Sequence, residues 1–171
     1  MILKKATESD FDRIYAEMEQ SFISDEIRRK EDAFNILSNK EYVIYIFEEN
    51  GRDVGFITIW ELEGFAFAEH FVIYENYRNR GYGSKGMLLI EQIYDNIILE
   101  AEHPETPLQA RRIGFYERLG FKQNDYPYLQ PAYKKDGNPV PLILMSYPNK
   151  ISVISAAVQE IYRNVYDKNL I

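Results

Sequence analysis

Residues 42–62 read as a β-hairpin. "YVIYIFEE" is a dense β-forming run, "DVGFITIWEL" is a second, and Asn50-Gly51 stands at their junction. Asn-Gly supplies the two positive-φ residues of a tight turn whose twist matches the strands it joins, a strong short-range signal for antiparallel pairing. Gly64 then breaks the chain, and "FAFAEHFVIY" supplies a third, adjacent strand.

Around this antiparallel centre the period changes. "ILKKA" opens the chain as a short strand, and Thr7 or Ser9 can cap a helix over Asp10 to Phe22, with Phe11, Ile14, Tyr15 and Met18 at helical spacing. A second, polar helix is expected over Asp25 to Leu37, with Ile27, Phe34 and Leu37 inward. A helix from about Ser84 to Tyr94 follows the glycine-rich segment, and the apolar centre of "NIILEAE" suits a buried parallel strand. "HPETP" is a breaker, Gln109 to Arg118 is helical, and "LGFKQND" starts another strand. "YPYLQPAYKKDGNPVP" reads as a proline-stiffened loop, "LILMSY" as the last strand, and Ile151 to Tyr166 as an amphipathic helix that covers the core or forms a dimer face. The sum is a mixed, mostly antiparallel α/β sheet with one parallel βαβ crossover at its centre, flanked by helices.

The 171 residues suffice for one domain with a real core, so residues 1–171 are expected to form a single unit. No apolar run approaches the roughly 18 residues of a membrane span, and "MILKKATESD" turns acidic too early for a secretory signal. The chain has no cysteine, which removes disulfides, thiolate metal sites and a cysteine nucleophile, and fits a cytoplasmic location. A formal net charge of -7 speaks against nucleic acid, which wants a broad basic face, and is compatible with a cationic or amine-bearing partner.

The segment "YRNRGYGSKGM", Tyr77 to Met87, holds two overlapping phosphate patterns. Gly81, Gly83 and Gly86 spell G-x-G-x-x-G, while Arg78, Gly81 and Gly83 spell R-x-x-G-x-G. Both rest on one idea: glycines let consecutive backbone N–H groups approach a phosphate, and a helix N-terminus adds a favourable dipole. A dinucleotide fingerprint wants its first glycine at the strand end and a series of βα units around it. Here Glu75 to Arg80 intervene, hairpin strands precede the loop, and only one crossover surrounds it, although Glu100 and Glu102 lie near the distance expected of a ribose-binding acid. The second pattern adds Arg78 and Arg80, whose guanidinium groups pair well with a pyrophosphate.

Three elements in order resemble the GNAT N-acetyltransferases: "AEHFVIYENYRNRGYGSKGM" as central strand, pyrophosphate loop and helix start, "IILEAE" as the next parallel strand, and "ARRIGFYERLGFK" as the later helix-to-strand signature. The family's frequent Asn ahead of the tyrosine helix is Gln109 here, and a usual small residue is Arg112. The resemblance implies the acyl-CoA N-acyltransferase fold and acetyl-CoA as co-substrate without a metal. An acceptor amine then attacks the thioester directly in a ternary complex, and no enzyme nucleophile is needed.

It also implies roles. Gly81, Gly83 and the amides of Tyr82 and Ser84 would wrap the pyrophosphate, with charge from Arg78 and Arg80, a backbone N–H from Asn79, and Ser84 as a helix cap. Phe71-Val72-Ile73 would pair its backbone with the pantetheine amides like an added strand. A splay between this strand and "IILEAE" would hold the thioester. Tyr116 would be the general acid, since a phenol is protonated at neutral pH and can hand a proton to the departing sulfur. Glu69 leads as the base, with Glu102 second and His70 third. Strict alternation puts Glu69, Phe71 and Ile73 on one face and His70, Val72 and Tyr74 on the other. Tyr126, Tyr128 and Tyr133 can border an acceptor site.

The reading that follows is an N-acetyltransferase acting on a small-molecule or peptide primary amine, with dimers common in such a family. The alternatives are a non-catalytic acyl-CoA-binding sensor that kept the loop and a nucleotide-dependent oxidoreductase.

Overall fold

The computed structural model describes residues 1–167. Strand β1 (Ile2–Lys5) leads through a short 3-10 turn to helix α1 (Phe11–Ser21), and α2 (Lys30–Asn35) precedes β2 (Tyr42–Glu49). Strands β3 (Arg52–Leu62) and β4 (Phe65–Ile73) complete a meander; α3 (Tyr82–Glu91), β5 (Ile97–Glu102), α4 (Pro107–Arg118), β6 (Lys122–Gln123), β7 (Tyr128–Gln130), β8 (Val140–Tyr147) and α5 (Ile154–Asn164) follow. The sheet order is β1-β2-β3-β4-β5-β8-β6, with β7 also on β8, and β4–β5 is its parallel pair.

Strand alternation divides the core into two layers. Ile44 and Ile46 of β2, Phe67 of β4 and Ile98 of β5 pack with Ile14 and Met18 of α1 and Val158 and Ile161 of α5. Tyr45, Phe47, Ala66, Ala68, Ile97 and Leu99 point the other way, against Met87 and Ile90 of α3 and Ile113 and Tyr116 of α4. Burial on both faces explains why the central strands read as unbroken apolar runs. Gly86 lets α3 lie close to the sheet, since a Cβ there would stand 3.0 Å from the Phe47 ring.

Several boundaries differ from the sequence expectation for physical reasons. The expected helix over 25–37 is broken. Ser24–Glu26 is a 3-10 turn, Ile27 and Arg29 are extended, and α2 starts only at Lys30. The extended stretch buries Ile27 and turns Arg28 inward, and Ala33, not the 41% exposed Phe34, faces the core. The "breaker" at 103–107 launches α4 instead: Thr106 caps it, Pro107 occupies its first turn, and the Thr106–Gln109 capping box closes. Within the expected loop, Tyr128–Gln130 is a strand on β8.

The strict alternation expected of β4 also fails. Thr58 of β3 faces His70 but Ile59 faces Ala68, so Glu69 is a bulge with no opposite number. The surplus residue turns both Glu69 and His70 toward the α1/α5 side, while Phe71 and Ile73 remain with the α3/α4 layer.

Candidate functional site

Strands β4 and β5 pair only at Ala66↔Ile97, Phe67↔Ile98 and Ala68↔Leu99. Beyond that point β4 runs on to Ile73 without β5, while β5 stays on β8 to Glu102. The strands therefore fork, as expected. The Tyr74 N–H donates to Val54 of β3, so the two-residue alternation of the ladder turns the backbone groups of Phe71 and Ile73 toward the open edge. Arg78 Nε donates to the Ile73 carbonyl at 2.9 Å, which ties the loop back to the strand end.

Above the fork, Asn79 (φ 61°) and Gly81 (φ 79°) bend the loop with left-handed backbone, and Gly81 becomes the N-cap of α3. The first intrahelical bond runs from Lys85 N to Gly81 O, so the N–H groups of Tyr82, Gly83 and Ser84 have no partner within the helix. Three such donors and the helix dipole form a cradle for a phosphate, with exposed Arg78 and Arg80 beside it. Ser84 lies inside the first turn and caps nothing with its side chain. A Cβ on Gly83 would touch Phe115 at 3.4 Å, so that position carries no long side chain without displacing the aromatic beneath it.

Tyr116 reaches the same region from α4, its ring edge-on to Phe115 and Phe121. Burial pushes its hydroxyl up to about 12, while nearby Arg112 pulls it down and Glu102 raises it further. It is therefore protonated at neutral pH, as a proton donor must be.

The opposite face is a buried polar cluster. The Glu69 carboxylate pairs with Arg28 and accepts from Trp60 Nε1 at 3.1 Å and Tyr133 Oη at 2.8 Å. Burial alone would raise its pKa, but the Arg28 guanidinium and His70 hold it well below the usual carboxylate range. Arg28 also donates to the Val165 carbonyl at 2.5 Å and lies 4.4 Å from the Tyr133 ring centre and 5.5 Å from that of Trp60. His70 bonds through Nε2 to the Glu26 carbonyl at 3.0 Å and through Nδ1 to Thr58 at 3.3 Å, with Phe22 edge-on against its ring. Glu102 pairs with Arg112 of α4.

Glu100 has no place among the sequence-derived acceptor residues, and the structure puts it one residue past the last β4–β5 pair. Tyr128 and Tyr166 donate to it, and burial lifts its carboxyl to about 7, with Tyr128 and Tyr166 lowering it and Glu69 raising it further. The sequence signal was its polarity in the middle of the apolar run "IILEA". Tyr126 is partly buried against the α1/α5 layer, whereas Tyr128 and Tyr133 carry the contacts described. Among the described residues no helix is long and apolar enough to cross a membrane.

Residues 9–121 match the acetyltransferase (GNAT) family. A GNAT-family protein from Bacteroides thetaiotaomicron superposes with a TM-score of 0.92 at 27% identity, over 99% of this chain and 100% of that one. Two more distant structures share the fold. A spermidine N-acetyltransferase from Vibrio cholerae has a TM-score of 0.65 at 12% identity, over 85% of this chain and 94% of that one. An aminoglycoside 6′-N-acetyltransferase complexed with coenzyme A has a TM-score of 0.58 at 15% identity, over 85% and 96%.

Proposed function

The chain belongs to the acetyltransferase (GNAT) family and takes its acetyl group from acetyl-CoA, and we propose that it delivers that group to the primary amine of a cationic small molecule or peptide. The amide cradle of Tyr82, Gly83 and Ser84 receives the pyrophosphate, with Arg78 and Arg80 adding charge and the Asn79 and Gly81 conformations aiming the loop. Phe71 and the Ile73 N–H, with Val72 between them held against β3, offer free backbone groups to the pantetheine amides, while Arg78 holds the Ile73 carbonyl. The thioester then lies in the fork, where the amine nitrogen attacks its carbonyl carbon. The C–S bond breaks with its electron pair on sulfur, and Tyr116 protonates the leaving thiolate.

Glu69 takes a structural role in this reading. Its carboxylate is committed to Arg28 and is too weak a base to accept an ammonium proton near neutral pH, so it anchors the segment before α2 to β4. The net charge of -7 and the carboxylates beside the fork favour a cationic acceptor, and amine acceptors in the names of the distant neighbours are consistent with that class.

The observation that carries the proposal is the free edge of β4 running straight into three unpartnered helix N–H groups. Two measurements test it. Thiol release from acetyl-CoA across a panel of primary amines should show turnover with at least one cationic member. Calorimetry should show acetyl-CoA binding that Gly83→Glu abolishes; unchanged affinity in the variant would remove the loop assignment. Coenzyme binding with no turnover on any amine would favour the sensor reading.

A further inference from the structure

On its α5 side the fork is closed over. Glu69 and His70, the first two β4 residues past the last β4–β5 pair, are less than a tenth exposed. Two segments cover them: 23–29 between α1 and α2, and 131–139 between β7 and β8. Both are rooted on β4. His70 Nε2 bonds the Glu26 carbonyl at 3.0 Å, Arg28 pairs with Glu69, and Tyr133 Oη donates to Glu69 at 2.8 Å.

Toward their tips the two segments grip each other. Lys134 Nζ donates to the Ser24 carbonyl at 2.5 Å, Arg29 pairs with Asp136 at 2.9 Å, and Asn138 Nδ2 donates to Asp25 at 3.3 Å. The Arg29 and Asp136 side chains are 62% and 78% exposed. The Gly137 N–H donates to the Lys134 carbonyl at 3.1 Å, so 134–137 is a tight turn able to move as a unit.

Roots and tips differ in strength. A buried, hydrogen-bonded pair such as Arg28–Glu69 is far costlier to break than an ion pair standing in water. The tips therefore part first, while the roots keep both segments on the sheet. Parting them uncovers the fork on the side opposite Tyr116, which belongs to the α3/α4 layer.

We propose that the turn 134–138 is a latch, shut on Ser24, Asp25 and Arg29, and that its release admits the acceptor amine to the fork. This rests on the acetyltransferase reading above. The latched form does not take the acceptor, so the apparent acceptor affinity is the intrinsic affinity reduced by the open fraction. Weakening the latch thus tightens apparent acceptor binding, whereas loss of an ordinary binding contact loosens it.

The test both locks and cuts the latch. The chain has no cysteine, so an engineered pair has no competitor. A Cβ on Gly137 would stand 3.3 Å from Asp25 Oδ1, which suits Asp25→Cys/Gly137→Cys to a disulfide across the latch. Acetylation of ethanolamine, n-butylamine, putrescine and glycinamide is followed by mass spectrometry, which tolerates dithiothreitol. The oxidised pair should lose at least about tenfold in kcat/KM for the amine and recover it on reduction. Its acetyl-CoA affinity should stay within about twofold of the reduced form. Arg29→Ala/Asp136→Ala removes one charge of each sign and should lower the amine KM about threefold. Equal turnover in the oxidised and reduced forms, or an amine KM unchanged or raised in Arg29→Ala/Asp136→Ala, overturns the latch while leaving the acetyltransferase reading intact. If the cysteine pair does not oxidise, that KM decides alone. Acetyl-CoA binding without turnover of any of these amines by the reduced form overturns the latch together with the amine reading.

Discussion

On the proposed coenzyme side, residues 71–84 present mainly main chain: two strand residues facing the open edge, two left-handed residues, and three helix N–H groups within one continuous stretch. Across the sheet the polar cluster is made of side chains at 28, 69, 100, 128, 133 and 166, brought together from six separate segments. The first kind of site asks for small residues in a fixed local order. The second asks only that several distant residues be polar or aromatic, and it changes without disturbing the first. A common donor with a variable acceptor is what such a division permits.

Emptying the acceptor side tests that independence most severely. Glu69→Gln leaves the Arg28 charge buried without its partner, which should cost about 3–5 kcal/mol of stability, read by denaturant unfolding. Where the variant still folds, acetyl-CoA affinity should be unchanged. A stable variant with weakened coenzyme binding would mean the two sides are one unit. Tyr116→Phe probes the group between them. It should lower kcat at least about 100-fold with little change in acetyl-CoA affinity, and equal turnover would remove Tyr116 from the mechanism.

The next effect is one of pH. The folded pKa of Glu100 is raised above its unfolded value of 4.5 to about 7, so the folded state keeps a proton that the unfolded chain has lost. That protonated state carries no penalty below the unfolded pKa, and the cost of charging it grows as pH rises through about 5 to 7. Glu100→Gln should therefore gain stability relative to wild type over that window, on the order of 2 kcal/mol, seen as a widening gap in melting temperature. A constant gap would mean that Glu100 does not titrate in that window. Smallest is Thr106→Ala, which removes the cap of α4 and should cost about 1 kcal/mol in denaturant unfolding.

The same contrast explains what the chain made legible. The hairpin around Asn50-Gly51, the parallel crossover and the glycine loop were readable because each is encoded by turn chemistry and periodicity in consecutive sequence. The break before α2 was not, because helix-forming residues around Ile27 and Arg28 are pulled out of the helix by burial and by the pull of Glu69, a partner 41 positions away. Tyr128 and Tyr133 were legible as loop residues able to border an acceptor, but their hydrogen-bond partners, Glu100 and Glu69, were not, because these belong to other strands. The pairing of Glu69 with Arg28 was equally hidden, because it cannot be inferred from spacing.

The bulge at Glu69 has a further consequence. Removing a single residue there would restore the two-residue beat of β4, with Thr58↔His70 and Ile59↔Ala68 as consecutive pairs. His70 would keep its face toward α1 and Phe71 its face toward α3, and what would be lost is the second polar side chain in succession, the carboxylate that holds Arg28. The surplus residue is thus the one place in β4 that can lose a residue without reversing the strand, whereas a deletion between 70 and 73 would turn the residues beyond it to the other face.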